Sequence, residues 1–286
     1  MSLPFFSPAD DPGPSFAELL RRTGNLPPLP QADVGDRFTI THGTTVVAVR
    51  YADGVVMAGD RRATSGNLIS HRTMEKVFPA DRHSGVAIAG AAGPAMEMVK
   101  LFQLQLEHYE KVEGIELSLD GKANQLSGMV RAHLPAAMQG LVVVPLFAGF
   151  DTRRGQGRLF QYDVTGGRYE ESNFATTGSG SLHAGTVLKL GYREGMTRIE
   201  AVDLVIDALF QAADEDSATG GPDPVRGIYP TIATITEAGF DKLADDEVAE
   251  RFRSLVERLS TTPESTATVG PSPTMPDGEL EQGGRG

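Results

Sequence analysis

The chain has 286 residues, 40% of them hydrophobic, a formal net charge of −12 and no cysteine. That length and apolar content suffice for a full core, in one large domain or two small ones, and one is preferred. The acidic balance with scattered basic residues argues against a nucleic-acid footprint or a polybasic membrane surface, and the absence of cysteine excludes disulfides, thiolate metal sites and a cysteine nucleophile.

Residues 1–43 are rich in Pro, Gly and Asp, with one short amphipathic run, "SFAELLRRTG", and read as an appendage that forms no core alone. Their start lacks a basic region followed by an apolar one, and the chain nowhere has about 18 consecutive apolar residues, so neither a signal peptide nor a membrane span is expected. Strands are predicted over residues 45–51 and 55–61 around an Asp53-Gly54 turn, and "SGVAIAGAAG" from Ser84 reads as a third, buried strand ending in small residues. Two helices follow, over residues 94–112 and 119–139, the first with a broad face of Met96, Val99, Leu101, Phe102, Leu104, Leu106 and Tyr109. Strands return at "LVVVPLFAGFD" and "GRLFQYDVTGG", helices at 181–190 and 198–213, a strand at "GIYPTIATIT", and a last helix at 245–259. The segment past residue 260 has almost no large apolar side chain and reads as a disordered tail. Strand blocks alternating with helix pairs, joined by hairpins instead of single crossovers, predict an α+β fold: two antiparallel sheets flanked by helices in a four-layer α-β-β-α sandwich.

The triplet Gly43-Thr44-Thr45 stands just ahead of the first strand. A threonine hydroxyl is a weak nucleophile that needs a base, and a threonine at a chain start carries one in its own α-amine, with an unperturbed pKa of roughly 7.7–8.0. A plain Thr-Thr pair opening a strand is the ordinary reading, because β-branched residues suit strands. The six histidines show no ligand spacing, and no metal or other cofactor is indicated. His42 departs with anything removed before Thr44 and is not assigned as a base.

The segment "GTTVVAVRYADGVVMAGDRRATSGNLISHRTMEKV", with "AGAAG", "LFQLQLEHYEKVEG", "AAMQGL", "GSGS" and "ADEDSATGGPDPVRGIYP", resembles the active β-subunits of the proteasome core particle, in particular the actinobacterial type. The resemblance covers most of residues 40–236 and implies an N-terminal-nucleophile hydrolase, a threonine endopeptidase without cofactor. It implies removal of a propeptide, residues 1–43, by self-cleavage between Gly43 and Thr44, leaving a domain over 44–260 and a tail over 261–286. Thr44 then matches the nucleophile. Asp60 and Lys76 match the charged pair beside it, Gly90 the oxyanion donor, Ser179 and Asp216 groups near the terminal amine, and Thr219 a companion position that is often serine. Ser179 also reads as an N-cap, and two of the run Asp214, Glu215 and Asp216 read as solvated acids.

By the same resemblance Ala63, Met74, Ile88, Ala92 and Met96 match an apolar specificity pocket, and Thr64 a position that hydrogen-bonds substrate backbone. The implied partners are α-subunits, a homo-heptameric β-ring within an α7β7β7α7 core, a regulatory ring ATPase and tagged, unfolded protein substrates in the cytoplasm. A two-component HslV-type peptidase and a ring-building subunit without activity are the alternatives. The first normally lacks a long propeptide and the "DSATGG…RGIYP" segment, and the retained Gly43, Thr44, Asp60, Lys76 and Gly90 oppose the second.

Overall fold

The computed structural model describes residues 43–65 and 68–261; the readings of residues 1–42 and of the tail beyond 261 lie outside it. Strand β1 (Thr45–Tyr51) pairs antiparallel with β2 (Gly54–Gly59), joining Val46 to Gly59 and Tyr51 to Gly54. This register makes Ala52-Asp53 the two-residue turn, not Asp53-Gly54. Gly54 serves a different need, since a Cβ there would lie 2.1 Å from the Ile235 carbonyl oxygen. The first sheet has the order β10-β1-β2-β11-β12, with β10 at Phe174–Gly178, β11 at Thr231–Thr236 and β12 at Gly239–Lys242. The second has the order β5-β6-β7-β8-β9: Val77–Asp81, Ser84–Gly90, Val143–Asp151, Gln156–Tyr162 and Arg168–Glu171. A separate hairpin pairs β3 (Ala63–Ser65) with β4 (Leu68–His71).

The period of two in a strand sorts β1 between two cores. Val46 and Ala48 meet Ala87, Ala89, Leu146 and Leu159 of the second sheet, so one core lies between the sheets. Val47 and Val49 face the opposite way, into a core with α4 (Ser181–Gly191), α5 (Arg198–Glu215) and α6 (Asp245–Thr261). A third core packs Val86, Ile88, Phe147 and Phe160 against α1 (Ala92–Glu113) and α2 (Leu119–Ala132). The layers are therefore helix, sheet, sheet, helix, as the sequence predicts.

Differences lie at short elements and ends. The helix read over 119–139 breaks at His133, and a four-residue α3 (Leu134–Ala137) restarts with Pro135 in its first turn, where the missing N–H costs nothing. The strand at "GRLFQYDVTGG" stops at Tyr162, because the Asp163 carboxylate gathers the N–H groups of Thr165 and Gly167 into a turn. The strand at "GIYPTIATIT" begins only at Thr231, after Pro230, which has no N–H to donate. Six strands went unread: β3, β4, β5, β9, β10 and β12, all of five residues or fewer. Strand β2 ends at Gly59, two residues early, and that early exit positions the site.

Candidate active site

Asp60 leaves the end of β2 and becomes an acceptor for four groups. Its Oδ1 takes the N–H of Thr45 at 2.9 Å and the Lys76 ammonium at 2.7 Å. Its Oδ2 takes the N–H groups of Arg62 at 2.9 Å and Gly220 at 2.8 Å. These donors come from four places in the chain, so the carboxylate ties the start of β1 to the loop after α5. Lys76, just before β5, also donates to the Arg62 carbonyl at 2.6 Å. The ammonium and carboxylate are 1% and 0% exposed. Burial pushes the Lys76 ammonium below the ordinary lysine range, and Asp60 pulls it partly back. An ion pair this buried is costly to desolvate and a weak source of stability, which points toward a chemical use.

Thr44 is buried and lines one small cavity together with Gly43, Lys76 and Gly90. Its hydroxyl donates to the Gly43 carbonyl oxygen at 2.8 Å, so the side chain already lies at the peptide bond that precedes it. The Gly43 N–H donates to the Thr64 hydroxyl at 3.2 Å. Gly90 ends β6 with φ +108°, a conformation disfavoured for other residues, and a Cβ there would sit 2.1 Å from the Val142 carbonyl oxygen. Ala63, Met74, Ile88 and Ala92 supply apolar wall to the same cavity, whose volume of about 10 Å³ holds roughly one water. Met96 is not in that wall: it packs toward the core beneath α1 and α2, and Ala95 lines the cavity instead.

On the other flank, the Ser179 N–H donates to the Thr44 carbonyl at 2.9 Å. The Ser179 hydroxyl does not cap α4, whose N-cap is Gly180; it donates to Asp216 Oδ2 at 2.5 Å. The Thr219 hydroxyl donates to the same oxygen at 2.6 Å, and the Ala218 N–H to Oδ1 at 3.1 Å. Burial alone would raise the Asp216 carboxyl, but these hydrogen bonds outweigh it and hold it below the usual aspartate range. Asp214 and Glu215 are exposed, as two of the three acids were expected to be. The extra methyl of Thr219 is fully buried without displacing the hydroxyl from the network.

The structure thus gathers Thr44, Asp60, Lys76, Gly90, Ser179, Asp216 and Thr219 from six stretches of chain. Two contributors escaped the sequence reading. The main chain of Arg62 holds both charges of the buried pair, and no side-chain pattern signals a backbone role. Thr45 contacts Asp60, Thr219 and Gly180, although in sequence it looks like the opening residue of a strand. Among the described residues no cluster of His, Cys, Asp and Glu has the arrangement of a metal site, and no helix is long and apolar enough to cross a membrane.

A family model described as "Proteasome subunit" matches residues 40–225. The chain is 56% identical over 250 residues to a "Proteasome subunit beta" of Acidimicrobium ferrooxidans, covering 87% of this chain and 92% of that one. It is 57% identical over 247 residues to a protein of the same description in Streptomyces griseus, covering 86% of each. A third, from Jonesia denitrificans, is 51% identical over 243 residues, covering 85% of this chain and 80% of the relative.

Proposed function

The chain belongs to the proteasome-subunit family, and on that premise we propose that it is the proteolytic β-subunit of a bacterial proteasome core, a threonine endopeptidase activated by its own cleavage between Gly43 and Thr44. The observation that carries this reading is the buried Lys76–Asp60 pair, whose lysine lines the same cavity as Thr44. A ring-building subunit without activity needs the ties that Asp60 makes, but not an ammonium in the wall beside Thr44.

The chemistry follows from the groups present. While Gly43 is attached, the Thr44 nitrogen is an amide and accepts no proton, so the precursor lacks peptidase activity. Its hydroxyl attacks the Gly43 carbonyl carbon once. The Thr44 nitrogen leaves as an amine, and water then hydrolyses the resulting ester. The freed amine, poised near neutral pH, takes the hydroxyl proton in later turnovers. Lys76 spends two of its three N–H donors on Asp60 and the Arg62 carbonyl, leaving the third for the developing alkoxide. Gly90 offers its N–H to the tetrahedral oxyanion. Ala63, Met74, Ile88 and Ala92 receive an apolar side chain ahead of the scissile bond, and Thr64 holds substrate backbone as it holds Gly43.

We propose further that this subunit forms a seven-membered β-ring between rings of α-subunits, with a ring ATPase feeding tagged, unfolded proteins inward in the cytoplasm; its likeness to proteins described as proteasome subunit beta supports assembly with α-subunits. Co-expression with an α-type subunit, followed by intact mass measurement and a fluorogenic peptide assay on each chromatographic fraction, tests the proposal. The expected result is a large particle whose β-chain begins at Thr44 and cleaves after apolar residues. Thr44→Ala should retain residues 1–43 and hydrolyse nothing. Normal turnover by that variant, or equal activity of a chain still carrying its first residues, would overturn the mechanism.

A further inference from the structure

We propose that the Thr45 hydroxyl is a positioning group for catalysis: it closes a chain of hydrogen bonds joining Asp216 to Asp60 across the nucleophile. This rests on the reading of Thr44 as nucleophile. Proton counting fixes the direction of the chain. Asp216 Oδ2 receives hydroxyl donors from Ser179 and Thr219, which requires the carboxylate to be the acceptor. The single Thr219 proton is thereby spent. The contact of 2.6 Å between the Thr45 and Thr219 hydroxyls must then have Thr45 as donor. Thr45 Oγ1 in turn accepts the Gly180 N–H at 2.9 Å.

The main chain of Thr45 completes the link. Its N–H donates to Asp60 Oδ1, the oxygen that also takes the Lys76 ammonium, and its carbonyl accepts the Asp60 N–H at 3.2 Å. One fully buried residue is therefore held on one side by Asp60 and on the other by the Thr219–Asp216 pair, immediately after Thr44. The surroundings are shaped to this arrangement: a Cβ at Gly180 would approach Thr45 Oγ1 to 2.6 Å and Thr219 Oγ1 to 2.8 Å. Strand propensity does not account for it, because valine would serve β1 equally well and bring no proton.

Thr45→Val isolates the hydroxyl, since valine keeps the shape, the strand preference and the N–H to Asp60. In the assembled particle it should lower kcat for a fluorogenic peptide by roughly tenfold or more while KM stays within about twofold, the pattern of a nucleophile slightly misplaced. Thr45→Ser should restore kcat to within about threefold of the parent. Thr219→Val should reproduce the loss, and the double variant Thr45→Val/Thr219→Val should be no slower than the worse single variant, because both cut the same chain. Multiplying losses in the double variant, or unchanged kcat in Thr45→Val, would overturn the proposal. If Thr45→Val fails to assemble, Thr45→Ser and Thr219→Val carry the test: a serine variant as slow as the valine at 219 overturns it. An inactive, unprocessed parent particle would instead refute the nucleophile reading itself.

Discussion

Two buried cations in this molecule are treated in opposite ways. Lys76 is 1% exposed and has one carboxylate, Asp60, and one carbonyl as partners. Arg158, in β8, is 3% exposed and has three carboxylates: Glu170 at 2.7 Å, Asp120 at 2.8 Å and Asp151 at 3.0 Å. Its guanidinium also lies 5.0 Å from the centre of the Phe160 ring. Hydrogen bonds donated to Glu170 and Asp120 raise the affinity of Arg158 for its proton, whereas burial lowers that of Lys76. On the proposed mechanism the difference is that between a fastening and a tool. Arg158 is more than neutralised, and it ties the start of α2 to the ends of β7 and β9. Lys76 has a third N–H beyond those given to Asp60 and Arg62, in the wall of the cavity that Thr44 lines, and in the proposed mechanism it meets the developing Thr44 alkoxide.

The largest effect should come from removing the tool. Lys76→Met is expected to lower kcat/KM by about 10²–10³-fold, the scale of losing one transition-state donor. Asp60 keeps three backbone N–H donors, so assembly should survive. A loss of only about twofold, worth roughly 0.4 kcal/mol, would make Lys76 a fastening like Arg158. Arg158→Met should do the reverse: about 3 kcal/mol of stability lost in denaturant unfolding, the low end for a broken buried pair because Asp120 and Glu170 are partly solvated, with turnover of the folded particle unchanged. A strong drop in kcat at unaltered stability would erase the distinction.

The smallest effect concerns acid. The hydrogen bond from Arg158 pulls the Asp120 carboxyl down to about 2. A carboxyl depressed by folding stabilises the native state above its unfolded value and loses that contribution as pH falls through the folded one. The difference in melting temperature between the parent and Asp120→Asn should therefore be full at pH 5 and shrink steadily from about pH 4 toward pH 2. A difference that does not change across that window would mean Asp120 gains nothing from Arg158.

The parts of the fold legible in sequence were those with long periodic signals. The β1 and β2 runs, the helices that became α1, α5 and α6, and the layer order needed only alternation and helical spacing. The strands of five residues or fewer gave too short a period to read, and β5 carries Pro79 besides. At the site, the charged and hydroxyl residues were visible because their types at their spacing match a known family. An apolar side chain at a pocket and one beneath a helix look alike in sequence, and only the packing shows Met96 against the core under α1 and α2. Ser179 was legible as a residue but not as a partner: a serine before a helix suggests a cap, and here its hydroxyl donates a hydrogen bond to the Asp216 carboxylate, just past the end of α5.

What the sequence determined by itself was the set of candidate groups and the layers that carry them, since side-chain chemistry is local and periodicity reports which faces are buried. What only the tertiary structure decided was the wiring. Asp60 is joined to Thr45, Arg62, Lys76 and Gly220, positions up to 160 residues away. Such links depend on where backbone N–H and C=O groups come to rest after the sheets stack, and every residue type except proline offers the same two groups, so no pattern of side chains announces them.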